Sequence, residues 1–485
     1  MTFARRALLG LLLAVTAGGC EAGPSAFERG RSPGPEDTAD ASSLPDIPQP
    51  GDVETLGVDT TGVEGSGGAE PLAGIGGTGV APDSSGPPVF RKPEHVRGIY
   101  LNAWAAGSTR RVGALLALAR ATEVNTFVID IKDASGYVSH RTEVPLAQEA
   151  GATAQLRIRD LPWLLRRLSA EAIYPIARIV VIQDPVLAAA RPDMAIQDRD
   201  GGVFRDRKGF YWLNPYDRRV WDYHVALARE VAGMGFPEIQ WDYVRFPDIP
   251  ASEKARLVYP GAGDTSQPQA IADFLAYARQ ALSDLDVVVT ADVFGVTTSA
   301  SRDVGIGQIW ESLIDDVDVA LPMVYPSHYW RGSFGYQSPN AYPYEVVKRA
   351  LRDALRRSAA VPGAGVTRPW LQDFTLGKPR YGAPEVRAEI QAAYDVGILD
   401  WILWNPGSRY TEEALEPVGG FPEEPRIRVG GRIVPVSDRQ AALDSLVAPA
   451  RPALDSLRAR SDTARTRPDT AQARPDTTRA GGPEC

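Results

Sequence analysis

The chain has 485 residues, 44% of them hydrophobic and 23% charged, a balance that supports a packed core and excludes a wholly disordered or fibrous protein. Lys and Arg number 52 against 61 Asp and Glu, so the formal charge is −9, no basic excess faces a phosphate backbone, and nucleic-acid binding is not expected. Two cysteines at opposite ends, Cys20 and Cys485, exclude a disulfide framework or a cysteine-built zinc site, and four scattered histidines make no helical metal pair.

In chain order, residues 1–20 carry Arg5-Arg6, an apolar run of about a dozen residues and then Ala17-Gly18-Gly19-Cys20. The run is short of the ~20 residues that span a bilayer, so it reads as a signal peptide of lipoprotein type. Cys20 would become the acylated N-terminus and tie an exported protein to the membrane of the cell envelope. The arginine pair suits either the general or the twin-arginine route. Residues 21–94 are rich in Gly, Pro, Ser, Asp and Thr without an apolar period, which predicts a disordered tether.

From 95 to 417 the pattern changes. Apolar runs at 96–102, 126–132, 174–182, 238–243, 287–293, 317–325, 368–372 and 401–405 predict eight strands. Between them, three- and four-residue apolar spacing predicts helices over 110–121, 161–172, 217–234, 270–284, 344–357 and 384–396. Gly235 and Gly397 punctuate helix ends. Eight strand-helix units in about 320 residues fit an α/β fold of (β/α)8 TIM-barrel type. An open doubly wound sheet is the rival, but no Gly-rich phosphate turn follows the first strand. Residues 418–485 form an extension and a low-complexity tail, with Ala442-Leu443-Asp444-Ser445-Leu446 recurring as Ala453-Leu454-Asp455-Ser456-Leu457.

A barrel of this type builds its active site at the C-terminal strand ends. The polar and aromatic residues expected there are Asn102 and Trp104 on the first unit, Asp130 and Lys132 on the second and Arg178 on the third. The fourth contributes Asp242, Tyr243 and Arg245, the fifth Asp292, and the sixth Tyr325, His328 and Tyr329. Gln372 ends the seventh, and Trp404 and Asn405 end the eighth. Glycosidic cleavage needs one carboxyl to protonate the leaving oxygen, a second to attack the anomeric carbon or activate water, and aromatic faces for the sugar.

Asp242 and Asp292 end apolar strands on neighbouring units, where burial and mutual repulsion can raise one pKa. Strands ~4.8 Å apart place such a pair near the ~5–5.5 Å of a retaining enzyme rather than the ~6.5–9.5 Å of an inverting one. Other readings stand beside these. Asp242 and Arg245 also fit a rim ion pair, Asp292 a turn cap, and Asp130 with Lys132, which share strand parity, a buried pair that orients substrate or fills a barrel layer. No dense ligand cluster suggests a metal, and the two-carboxylate chemistry needs no cofactor.

The motifs Val128-Ile129-Asp130-Ile131-Lys132-Asp133 with Gly136, Trp212-Leu213-Asn214-Pro215-Tyr216, and Gly235-Phe236-Pro237 leading to Gln240-Trp241-Asp242-Tyr243-Val244-Arg245-Phe246-Pro247 occur in that order. Ala291-Asp292-Val293-Phe294-Gly295 and Met323-Val324-Tyr325-Pro326-Ser327-His328-Tyr329 follow them. The series resembles the bacterial family of putative glycosyl hydrolase domains over about 96 to 417. The resemblance implies a TIM barrel acting on carbohydrate. More distantly the barrel is similar to α-amylase-type enzymes, which implies Asp242 as nucleophile and Asp292 as acid/base. Gln240 departs from that pattern where those enzymes carry arginine, and Asp292 where they carry glutamate.

The residues therefore point to an exported glycoside hydrolase acting on a polysaccharide or envelope glycan, with a non-catalytic carbohydrate-binding barrel as the alternative. A deacetylase lacks its serine motif or metal cluster. The segment 183–216 is expected to shape the cleft. If Cys20 is acylated, fatty-acid labelling of the expressed full chain is lost in Cys20→Ser; equal labelling of both contradicts the anchor.

Overall fold

The first two long apolar runs are buried at every position: Thr126–Lys132 and Tyr174–Val180 expose neither face. Strands covered on both sides read as continuous apolar runs because helices pack outside and side chains fill the inside. In the computed structural model, which describes residues 86–418 and the backbone of the strand pair Arg426–Val429 and Arg432–Pro435, these runs belong to a closed sheet. The expected signal peptide with Cys20, nearly all of the expected tether and most of the C-terminal extension lie outside the described residues.

The ring consists of β1 (Arg97–Leu101), β2 (Thr126–Lys132), β3 (Tyr174–Val180), β4 (Glu238–Asp242), β5 (Val288–Phe294), β6 (Val319–Met323), β7 (Trp370–Gln372) and β8 (Trp401–Trp404). Each pairs in parallel with the next. β8 returns to β1 through Arg97↔Trp401, and β6 reaches β7 through Trp370↔Met323. The fold is a (β/α)8 TIM barrel. β7 is shorter than the predicted 368–372 because Pro369 has no N–H to give the ladder; a separate two-residue strand, Val366–Thr367, pairs with β6 before it.

Six long helices wrap the ring: α1 (Thr109–Ala121), α2 (Leu161–Ala170), α3 (Arg218–Gly233), α4 (Gln267–Ala281), α5 (Pro343–Ser358) and α6 (Ala383–Asp395). Their starts are written locally. Asp160 accepts the Trp163 N–H at 2.8 Å ahead of α2, and Ser266 caps α4. α3 ends where Gly235 takes φ +113°, a conformation that costs a side chain, and turns the chain into β4. The eight strand-helix units expected from the sequence are not all present. The β5–β6 crossover holds a 3-10 turn, Gly295–Thr298, and a single-turn helix, Trp310–Leu313, in place of a long helix, and among the described residues β8 is followed by a 3-10 turn, Glu412–Ala414, rather than a helix.

The barrel interior is filled by Tyr100, Val128, Ile176, Leu321, Trp370 and Ile402. At its N-terminal end Arg368 donates to Glu238 at 2.6 Å, both almost wholly buried, which plugs the bottom with a paired charge. At the opposite end two long connections meet. Gln197–Asp198, inside 183–216, pairs antiparallel with Leu257–Val258 from the β4–α4 connection, and Arg256 bonds Asp198 across that junction. This junction ties together the two loops that flank the C-terminal ends of β3 and β4, where Asp242 lies.

Candidate active site

Arg178 stands in register with Asp130 of β2 on one side and Gln240 of β4 on the other. Its guanidinium is the hub of the barrel's upper layer. Nη1 donates to Asp130 Oδ1 and Nη2 to Asp242 Oδ2. Nε donates to the same Asp242 oxygen at 3.0 Å and lies 3.8 Å from Asp292 Oδ2. The Tyr100 hydroxyl donates to Asp130 Oδ2, and the Tyr100 ring lies 5.4 Å from the guanidinium carbon. The layer thus holds three carboxyls around one cation, all of them nearly removed from water.

Asp242 and Asp292 sit differently. Asp242 Oδ1 accepts the backbone N–H of Tyr243 at 2.5 Å, and Tyr243 itself adopts φ +53°, a strained conformation for a bulky side chain. Asp292 is gripped by neutral donors. Gln240 Nε2 reaches Oδ1 at 2.7 Å and Oδ2 at 3.0 Å, and the Trp370 indole N–H reaches Oδ1 at 2.6 Å. Burial and the neighbouring Asp242 carboxylate hold the Asp292 pKa well above the usual range; Arg178, Trp370 and Gln240 pull the other way and do not prevail. Asp130 is pushed up to about 6, chiefly by burial and against the pull of Arg178.

Beside this layer lies an aromatic wall. Trp404 stacks on Tyr325 with centroids 5.7 Å apart at 27°, and Phe374 meets Trp404 edge-on at 5.1 Å. His328 packs on Tyr325 at 5.2 Å and on Phe374 at 5.9 Å, with Nδ1 2.9 Å from Ser327 Oγ; burial lowers its pKa to about 4, so the ring is neutral near pH 7. Trp404, Phe374 and His328 are half-buried and offer apolar surface to a sugar ring. Trp104 is 64% exposed, with the Arg157 guanidinium 5.4 Å from its ring.

Several expected site residues are placed elsewhere. Lys132 does not pair with Asp130: an irregularity in the β2–β3 register between these residues breaks their shared parity, and Lys132 bonds Asp184 at 2.9 Å and the Val180 carbonyl at 2.8 Å. Asp242 pairs with Arg178, not with Arg245. Gln372 is fully buried; its Oε1 accepts Ser327 N–H and Oγ–H, its amide donates to the Phe374 carbonyl, and it braces the His328 turn rather than facing substrate. Asn102 caps the turn Ala103–Ala106 and holds the Pro406 carbonyl, while Asn405 Oδ1 accepts Gly407 and Arg409 N–H and its amide donates to the Asp373 carbonyl. Tyr329 packs on Phe334 in the layer outside the barrel interior.

Tyr100, Gln240, Trp370 and Phe374 belong to the site and were not singled out for it. Gln240 shares strand parity with Asp242, a signal the sequence carries; Tyr100 reaches Asp130 only across strands, and Phe374 follows β7 with no signal of its own. The segment 183–216 contributes Trp212, 6.1 Å from Tyr243. Among the described residues, no group of three or more His, Cys, Asp or Glu side chains is arranged to hold a metal ion.

The family model described as "Putative glycosyl hydrolase domain" matches residues 98–410. No protein of curated function matches the sequence. Among solved structures, a hypothetical protein from Ruminiclostridium thermocellum is similar at 36% identity over 40% of this chain and 97% of its own, with a TM-score of 0.37. The glycoside hydrolase domain of PgaB (BpsB) from Bordetella bronchiseptica is similar at 13% identity over 65% of this chain and 95% of its own, TM-score 0.46. The spore cortex-lytic enzyme SleL from Bacillus megaterium is similar at 10% over 66% and 72%, TM-score 0.40.

The raised Asp130 pKa has a stability consequence of fixed sign. Between 3.8, its unfolded value, and about 6 the unfolded chain has released a proton that the folded chain keeps, so stability falls as pH rises through that window. The group's share is about 3 kcal/mol, at 1.36 kcal/mol per pKa unit. Asp130→Asn lacks this loss, so its stability relative to the wild type should improve by about that amount from pH 4 to pH 7.5 in urea unfolding. A difference that stays flat with pH contradicts it.

Proposed function

The chain belongs to the putative glycosyl hydrolase domain family, and from that premise we propose that it cleaves O-glycosidic bonds of a polysaccharide or envelope glycan with Asp242 and Asp292. One observation carries the reading: two carboxyls face a single Arg178 nitrogen at 3.0 and 3.8 Å, and the pKa of one of them is held well above the usual range by burial and by the other. That is the division of labour general-acid glycosidic cleavage needs.

Asp292 gives its proton to the leaving oxygen. Asp242, oriented by Arg178 and the Tyr243 N–H, attacks the anomeric carbon and forms a glycosyl ester. Asp292, now deprotonated, takes a proton from the water that displaces Asp242, so two inversions return the original configuration. Both Oδ2 atoms lie within 4 Å of one guanidinium nitrogen, which favours this double displacement over a route with water between the carboxyls. Above about pH 6, Asp130 adds its negative charge beside Arg178, which favours an oxocarbenium-like transition state. The wall of Trp404, Phe374 and His328 supplies the sugar platform. The envelope assignment rests on the N-terminal export signal alone.

A second reading has an observation of its own. The Asp292 side chain is only 1% exposed, and both its oxygens accept bonds from Gln240. In a carbohydrate-binding barrel without turnover, the same carboxyls would serve only to balance Arg178. Full-length wild type, Asp242→Asn and Asp292→Asn on a panel of bacterial and plant polysaccharides separate the two. The hydrolase reading predicts losses of at least ~10³-fold for Asp242→Asn and ~10²–10⁴-fold for Asp292→Asn, with retained anomeric configuration by NMR of the first product. Glycan retained but not cleaved by the wild type supports the binding barrel.

A further inference from the structure

Four arginines are buried among the described residues: Arg157, Arg178, Arg245 and Arg368. Three of them are accounted for by a carboxylate. Arg157 holds Asp133, Arg178 holds Asp130 and Asp242, and Arg368 holds Glu238. Arg245, only 4% exposed, has no ion-pair partner among the described residues. Among the described residues its one hydrogen bond runs from Nη1 to the Phe246 carbonyl at 3.2 Å. Nε and Nη2 are not among the buried polar atoms sealed without a partner, so they keep access to solvent.

A cation taken this far out of water and left unpaired costs stability unless something compensates. Three rings do so in part: the guanidinium carbon lies 4.6 Å from the Tyr243 centroid, 4.8 Å from Phe294 and 5.1 Å from Trp212. The rings also fix its place. Tyr243 directly follows Asp242, and Phe294 stands two residues beyond Asp292, so Arg245 lies against the residues that leave the two carboxylates. The nearby acid, Asp248, lies in the field of Arg245, Lys254, Lys208 and Arg207 together. Glu253 faces Arg207 at 3.9 Å, Asp303 faces Lys254, and Lys254 donates to the Gly305 carbonyl at 2.7 Å. The surroundings of Arg245 are thus rich in cations, and its own donor fork is open.

We propose that Arg245 binds the carboxylate of an acidic sugar residue in the subsite beside Asp242 and Asp292, so that the substrate is a uronate-containing glycan. The inference rests on the carbohydrate reading above and adds the substrate class. A planar guanidinium with two unbonded N–H groups matches a carboxylate's two oxygens, and the ring cage holds the fork in place before the ligand arrives. A phosphate ester shares the charge but not the planarity.

The test is calorimetric titration of the full-length protein with glucuronate, glucose and glucose 6-phosphate, on wild type, Arg245→Gln and Arg245→Lys, with thermal melts to verify folding. Glucuronate should bind the wild type at least ~10-fold tighter than glucose, lose that advantage in Arg245→Gln and keep only part of it in Arg245→Lys. Equal binding of glucuronate and glucose by the wild type overturns the proposal without reference to any variant. So does an advantage that survives in a folded Arg245→Gln. Tighter binding of glucose 6-phosphate than of glucuronate overturns the carboxylate assignment. Because the readout is binding, a wild type that prefers glucuronate but cleaves nothing refutes the hydrolase reading alone, and one that cleaves neutral glycans without an acid preference refutes the acidic subsite alone.

Discussion

One guanidinium shared among three buried carboxyls sets the terms for everything at the top of this barrel. Arg178 is bonded to Asp130 and Asp242 and lies close to Asp292, in an interior where charges are weakly screened. One cation cannot hold three anions there, so at least one carboxyl must keep its proton. Asp292 is the one whose pKa burial and the Asp242 carboxylate hold well above the usual range, and its remaining partners, Gln240 and Trp370, are neutral donors that offset this less than a cation would. The uneven charge of the pair therefore follows from which side chains the strand register brings next to each oxygen.

That register also answers a departure from the α-amylase-type pattern. Gln240 stands where those enzymes carry arginine, yet the guanidinium is present: it arrives from the neighbouring strand, since Arg178 is paired in register with Gln240. Gln240 is then released to hold Asp292. The carboxylate keeps a cationic partner and its neighbour gains a neutral one, an exchange between adjacent strands that no single motif reveals.

Much of this fold was legible because closed parallel strands are buried on both faces and so print as unbroken apolar runs. The run 126–132 coincides with β2 to the residue, and the other seven runs all agree with their strands to within two positions at either end. Where the reading missed, the cause was non-local or was a breaker within a run. Pro369 interrupts the seventh strand, and the one-turn helix Trp310–Leu313 is too short to show a period. The side-chain partners were the least legible layer. Parity put Lys132 beside Asp130, and an irregularity in pairing with β3 sends it to Asp184. Gln372, Asn102 and Asn405 have polar side chains at strand ends, as substrate-binding residues would. Their amides are taken up by backbone groups of loops more than 30 residues away or within their own turns, which composition cannot foretell.

The central claim is that burial and the neighbouring Asp242 make Asp292 a neutral acid. Difference infrared spectroscopy of the full-length protein reads it directly, as the carbonyl stretch of a protonated carboxyl. The account predicts a protonated-carboxyl band at pH 7.5 that loses a component in Asp292→Asn and keeps it in Asp130→Asn, the remainder belonging to Glu389, whose pKa burial also holds well above the usual range. A wild type with no such band at pH 7.5, or a band unchanged in Asp292→Asn, would contradict it.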